Sequence, residues 1–250
     1  VNAYIIDTGV QASHPEFGGR VQAGYGRYAQ TDCHGHGTHV AGTVGSSTYG
    51  VAKSVQIVPV QVLDCSGSGW DSDVIAGMDW IMSPENPNAK TSAVLNLSIG
   101  GNKSNAVNSA IQRLTNAGVV VVAAAGNDYG DACTKSPASA PSAITVGSTM
   151  INDAKSGFSN SGACVDISAP GSSIMGAWFG TATATNTISG TSMATPHVAG
   201  AAAVYLGLKP GASVLDVTSY LDAQSTKDVI TGLPAGTANK LLYVSPTDGG

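Results

Sequence analysis

Five short apolar runs decide what this chain can fold into. They are VNAYIID (1–7), VQIVPVQVLD (55–64), AVLNLSIGG (93–101), GVVVVAAAGN (118–127) and AITVGST (143–149), each ended by Gly, Asp or Ser. They are apolar almost throughout rather than alternating, which is the pattern of strands buried on both faces of a parallel sheet. Helical patterns separate them. HGTHVAGTVGS (36–46) and DSDVIAGMDWIM (71–82) come first. NAVNSAIQRLTNAG (105–118) follows, with Val107, Ala110, Ile111 and Leu114 at helical spacing and Gly118 as a C-cap signal. TPHVAGAAAVYLGL (195–208) reads as a helix with Pro196 in its first turn, and ASVLDVTSYLDA (212–223) as a shorter one. Strand–helix alternation predicts an α/β fold: a doubly wound, mostly parallel sheet flanked by helices. No repeat or linker divides the 250 residues, so a single domain is expected. In such sheets ligands bind at the carboxyl ends of the strands. Asp7, Gly100 and Asn127 all stand at such ends.

Composition removes several function classes. Charged residues are 11% of the chain, well under the usual ~25%, and hydrophobic residues are 42%, with 32 glycines. That suits a large core with tight turns and not a disordered chain. The net charge is −5 and no basic stripe appears, so no nucleic-acid partner is expected. The longest apolar run, Val119–Ala125, is far short of the ~20 residues that span a bilayer. The chain opens directly on a strand pattern, without a signal peptide, and VSPTDGG (244–250) reads as a frayed tail. Cys33, Cys65, Cys133 and Cys164 are an even set, too scattered for a zinc knuckle. They favour two disulfides and an oxidising compartment, with three pairings open by spacing alone.

Four positions carry candidate chemistry. Asp7, in IIDTGV, ends a strand, where Asp also serves as a plain turn former. His34, His36 and His39 crowd DCHGHGTHVAG (32–42). A metal site is one reading, but no HExxH glutamate accompanies them; the other is a single functional imidazole at a helix start, flanked by glycines. Ser192, in SGTSMATPHVAG (189–200), opens a helix whose free N–H groups suit a developing anion, though Ser is also an ordinary N-cap. Asn127, in AAAGND, either caps a strand end or donates its amide to an oxyanion. Together they supply the acid, imidazole, amide donor and hydroxyl that nucleophilic acyl transfer needs.

The order Asp…His…Ser is that of the subtilisin-like serine proteases. IIDTGVQASHPEF, GHGTHVAGTVGSSTYGVAK, LNLSIGG, VAAAGND and SGTSMATPHVAGAAA resemble that family's signature blocks, in order, over about residues 1–245. The wording is most similar to the proteinase K subgroup, and within it to aqualysin-like bacterial secreted enzymes. The resemblance implies one peptidase catalytic domain over 1–250, lacking the few dozen residues that family members carry before the acid-bearing strand. It implies a secreted, monomeric serine endopeptidase acting on proteins or peptides. Asp7 would be the triad acid, His36 the general base and Ser192 the nucleophile. Asn127 would be the oxyanion-hole side chain, with the Ser192 N–H as second donor; His197 becomes a packing residue. Ser98, Ile99 and Gly100 on one edge and Gly67, Ser68 and Gly69 on the other would pair with an extended substrate. Ala124, Ala125 and Gly126 would wall the first specificity pocket, leaving room for an apolar or aromatic side chain. The same resemblance implies the disulfides Cys33–Cys65 and Cys133–Cys164, and a structural Ca2+ held by the carbonyls of Pro141 and Ala143 and the carboxylate of Asp166.

Overall fold

The structure, a computed structural model, describes residues 1–89 and 92–245; the expected tail at 244–250 lies mostly outside them. The elements in chain order are β1 (Asn2–Asp7), α1 (His36–Gly45), β2 (Gln56–Gln61), α2 (Asp71–Met82), β3 (Ala93–Leu97), β4 (Gly101–Asn102), α3 (Asn105–Asn116) and β5 (Val120–Ala124). They continue with β6 (Lys135–Ser136), β7 (Ile144–Thr149), β8 (Ile167–Pro170), β9 (Ile174–Ala177), β10 (Thr185–Ile188), α4 (Thr191–Leu208), α5 (Val214–Gln224), β11 (Thr226–Lys227) and β12 (Lys240–Leu241).

The main sheet has eight strands in the order β2-β1-β3-β5-β7-β8-β12-β11. Every pairing is parallel except that of β11 with β12. This is the expected doubly wound sheet. Its apolar strands feed two cores, because successive side chains leave a strand on opposite faces. Ala3 and Ile5 of β1 join the cluster containing α1, α4 and α5 residues, while Tyr4 and Ile6 join the cluster under α2 and α3.

β1 is the pivot of this topology. β2 lies on one side of it and β3 on the other, so the winding reverses there. Crevices form where that reversal occurs, at the carboxyl ends of the strands. Asp7 is the last residue of β1.

Two glycines let backbones approach closely around this pivot. A Cβ on Gly37, in the first turn of α1, would lie 2.1 Å from the Gly9 carbonyl oxygen. A Cβ on Gly200, in the middle of α4, would lie 2.7 Å from Val51 Cβ. Larger residues would push either helix off the sheet end.

One expectation is corrected. α4 does not start at residue 195 but at Thr191, with Gly190 as N-cap, so Pro196 lies inside the helix and not in its first turn. Proline there removes the N–H that would bond the carbonyl four residues back, Ser192. The hydroxyl of Ser98 donates to that carbonyl instead, at 2.8 Å. Strand β8 and the β9–β10 hairpin have no counterpart in the sequence reading. Their segments are four residues each, too short and too mixed in polarity to show a period.

Candidate active site

α1 is positioned from outside itself. Its N-cap, Gly35, has φ +102° and no side chain to satisfy the exposed amides. The Asp32 carboxylate does so. Oδ1 accepts from the amides of His34 (2.9 Å) and Gly35 (2.8 Å), and Oδ2 from the amide (3.0 Å) and hydroxyl (2.6 Å) of Thr38. Thr8, next to Asp7, donates its hydroxyl to Asp32 at 3.0 Å and accepts the Gly37 amide at 3.0 Å. The end of β1 and the start of α1 are thereby one hydrogen-bonded unit.

That unit brings Asp7 to His36. Both carboxylate oxygens lie 2.8 Å from His36 Nδ1, and the Thr8 amide donates to Oδ1 at 2.8 Å. Asp7 is fully buried, and the His36 side chain is 21% exposed. An ionised carboxylate can only accept, so Nδ1 carries the proton and the neutral ring has its lone pair on Nε2. Burial pulls the His36 pKa down, but the charge and hydrogen bond of Asp7 and the charge of Asp32 outweigh it, and the net shift is upward.

The other histidines of the cluster are directed elsewhere. His34 Nδ1 accepts the His36 amide at 3.4 Å. His39 is buried with Nε2 on the Ile174 carbonyl at 3.1 Å, and burial pushes its pKa down to about 4. No group of three or more His, Cys, Asp or Glu among the described residues could hold a metal ion. His197 donates from Nδ1 to the Met193 carbonyl at 2.8 Å within α4, and burial lowers its pKa.

Ser192 is the second residue of α4, so its amide is among those a helix leaves without internal partners. Its hydroxyl donates to the Ser98 carbonyl at 3.0 Å. The contact is reciprocal through the Ser98 hydroxyl described above, which itself accepts from Asn96 Nδ2 at 2.8 Å. Asn127 stands three residues past β5. Its Oδ1 accepts the amide (2.8 Å) and hydroxyl (3.0 Å) of Thr191, the first residue of α4. The loop carrying Asn127 is held by Asn160, which is 1% exposed. Asn160 accepts the amides of Asp128 and Gly130 and donates to the Ala125 carbonyl.

Two clefts flank the segment 98–101. One, of about 420 Å³, is lined by Ser98, Ile99 and Gly100 on one side and by Ala124, Ala125, Gly126 and Asn127 on the other, with Ser192 at its end. The second, of about 460 Å³, is lined by Ser98–Gly101 again, by Gly67, Ser68 and Gly69, and by His34 and His36. Gly67, Ser68 and Gly69 and Ser98, Ile99 and Gly100 thus line one common cleft. Ser98, Ile99 and Gly100 lie between β3 and β4 and belong to no strand pairing among the described residues.

The disulfides are Cys33–Cys65 and Cys133–Cys164. The first joins the loop before His36 to the turn that carries Gly67. For calcium, the loop into β7 offers the carbonyls of Pro141 and Ala143, and Asp166 offers its carboxylate. Asp166 Oδ2 accepts the Thr145 amide at 2.8 Å, and burial raises its pKa. An all-oxygen set with an anion lacking a full complement of donors fits a hard cation.

Sequence reasoning missed Asp32, Thr8 and Asn160. Thr8 and Asn160 act on backbone amides about thirty residues away in the chain, so no local pattern marks them. Asp32 carried a weak signal as an acid just ahead of a helix start.

The chain matches the family model described as Subtilase family over residues 4–237. It is 53% identical over 248 residues to an extracellular serine proteinase of Thermus sp. (strain Rt41A), covering 97% of this chain and 59% of that protein. It is 50% identical to alkaline serine exoprotease A of Vibrio alginolyticus (97% and 45% covered) and 48% identical to proteinase T of Parengyodontium album (96% and 82%). The chain spans somewhat under half to about three fifths of the length of the first two of these relatives. A solved structure described as a cold adapted subtilisin-like serine proteinase superposes with a TM-score of 0.91 at 51% identity, covering 97% of this chain and 88% of that one. With a family model spanning nearly the whole chain, half-identical relatives and a matching sheet, the chain belongs to the subtilase family.

Proposed function

We propose that the chain is the catalytic domain of a secreted serine endopeptidase that works through an acyl-enzyme. The observation that carries this reading is the Asp7–His36 contact, two carboxylate oxygens 2.8 Å from Nδ1, with His36 lining one cleft and Ser192, at a helix N-terminus, lining the adjoining one across the shared segment 98–101. In the free enzyme the Ser192 hydroxyl rests on the Ser98 carbonyl. A rotation about its Cα–Cβ bond turns it toward His36 Nε2, which removes its proton as Oγ attacks the peptide carbonyl. Asp7 keeps the ring in the tautomer this needs and stabilises the imidazolium. The oxyanion is received by the Asn127 NH2 and the Ser192 amide, where one donor contributes ~3–4 kcal/mol in comparable sites. His36 then protonates the leaving amine, and water hydrolyses the acyl-enzyme by the same route.

Substrate would lie extended between 98–100 and 67–69. The small side chains of Ala124, Ala125 and Gly126 leave the first cleft open to an apolar or aromatic residue before the scissile bond. Two disulfides support an oxidising, extracellular setting, and no helix among the described residues is long and apolar enough to cross a membrane. The chain would act as a monomer on proteins and peptides. Pro141, Ala143 and Asp166 would hold a calcium ion, which when bound neutralises Asp166 and cross-links the loop into β7.

Ser192→Ala tests the reading. Hydrolysis of a chromogenic peptide and labelling by a fluorophosphonate should both vanish while the melting temperature stays within a few degrees. Undiminished hydrolysis by the variant would remove Ser192 from the mechanism.

A further inference from the structure

The second cleft has an end that this mechanism does not use. Opposite the α1 side, with His34 and His36, it is built by Asp71 and Val74 of α2, Val107 of α3 and Pro137. Val74 and Val107 are 7% and 4% exposed, so they make an apolar floor. Asp71 stands exposed at the rim. It is the first residue of α2, where a carboxylate suits the positive end of the helix dipole. Asp73 in the same turn has that role too, and it opens onto a separate hollow with Asp64 and Trp70. Among the described residues the Asp71 carboxylate has neither a hydrogen bond nor an ion pair. An unpaired anion over an apolar floor, beside a peptide trough, has the form of a half-filled recognition site.

The position it would read follows from strand geometry. Side chains of an extended peptide alternate between faces and repeat on one face every ~7 Å. If the residue before the scissile bond enters the first cleft, the second and fourth before it turn into the second cleft. The second meets the His36 side and the fourth the α2–α3 end. We propose that this end of the cleft selects lysine or arginine at the fourth position before the scissile bond, the methylene stem lying on Val74 and Val107 and the charge meeting Asp71. Long cationic side chains combine such a buried stem with a hydrated head. The inference rests on the peptidase reading above and names part of its substrate class.

Three chromogenic tetrapeptides test it. They differ only at the fourth position, with lysine, norleucine or glutamate, and end in the same Ala-Ala-Phe. Norleucine keeps the stem and lacks the charge. In the wild type at low salt, kcat/KM should rank lysine above norleucine above glutamate. The lysine-to-norleucine ratio should fall about threefold in Asp71→Asn, the scale of one partly exposed ion pair. It should also fall as salt is raised in the wild type, a measurement that needs no variant. A ratio that is the same in both enzymes, or indifferent to salt in the wild type, overturns the proposal while leaving the peptidase intact. If the wild type cleaves none of the three, the peptidase reading itself has failed, and this one with it.

Discussion

Asp32 touches no atom that would react, yet five donors meet its two oxygens, and those donors fix where His36 stands relative to Asp7. His39, three residues further along α1, shows the opposite use of burial. Its ring is 0% exposed, and Nδ1 has no partner. Its folded pKa of about 4 lies below the ordinary ~6.5, so the unfolded chain takes up the proton first as pH falls. Stability from this residue is complete above pH ~6.5 and declines by about 3 kcal/mol toward pH 4. His36 works in the other direction. Its raised pKa contributes stability below ~6.5 that is lost as pH rises through the folded value. In a Ser192→Ala background, where self-cleavage cannot interfere, His39→Asn should lose less melting temperature between pH 7 and 4.5 than the parent does. An unchanged acid slope would show that His39 is not the group responsible. Asp7, His36, Asn127 and Ser192, the residues of the proposed site, can each be singled out in the sequence, because each sits inside a recognisable motif. Asp32 was not legible as a positioning residue, since three of its five donors are amides, which leave no trace in residue identity, and one of the two hydroxyls comes from Thr8, 24 residues away.

At the scale of elements, α4 owes its first turn to side chains. Pro196 cannot bond the Ser192 carbonyl, and Ser98 does. Thr195 in turn donates its hydroxyl to the Thr191 carbonyl at 2.8 Å. This predicts a coupling. Ser98→Ala should destabilise the protein by leaving that carbonyl without a donor, and Pro196→Ala should supply one from the backbone. Pro196→Ala should therefore be more favourable by about 1 kcal/mol in the Ser98→Ala background than in the wild type. Denaturant unfolding of the four proteins reads this directly, and additivity within ~0.3 kcal/mol would refute it. The same proline explains the misplaced helix start. Proline is usual in a first turn, so the sequence suggests a start next to it. Only the distant Ser98 hydroxyl makes a deeper position tolerable.

For the molecule as a whole, strand–helix alternation was sufficient to identify the class of fold, because strands buried on both faces are apolar at most positions instead of alternating. It could not supply strand order, which depends on where each crossover lands. The proposed calcium site belongs to this scale, since Asp166 adjoins β8 and Pro141 and Ala143 precede β7, two strands paired in the sheet. Calcium at a hundred times its dissociation constant should stabilise the native state by ~2.7 kcal/mol. That is a rise in melting temperature of ~5–10 °C for a chain of this size. Chelation should reverse the rise, and Asp166→Asn should be indifferent to both. A variant that still responds in full would move the ion elsewhere.

The side chains that pin backbone amides, Asp32 before α1 and Asn160 beneath the 125–130 loop, also bear on how long such a molecule lasts. A peptidase is surrounded by copies of itself. A loop becomes food for its neighbours only after it lifts off and straightens for several residues to enter another trough. Each pinned amide raises the free energy of that local opening, so loops tied by carboxylates and carboxamides are slow to be nicked even when they lie at the surface. On the peptidase reading proposed above, the groups that aim the imidazole and the amide donor would thus also decide which copies survive their own kind.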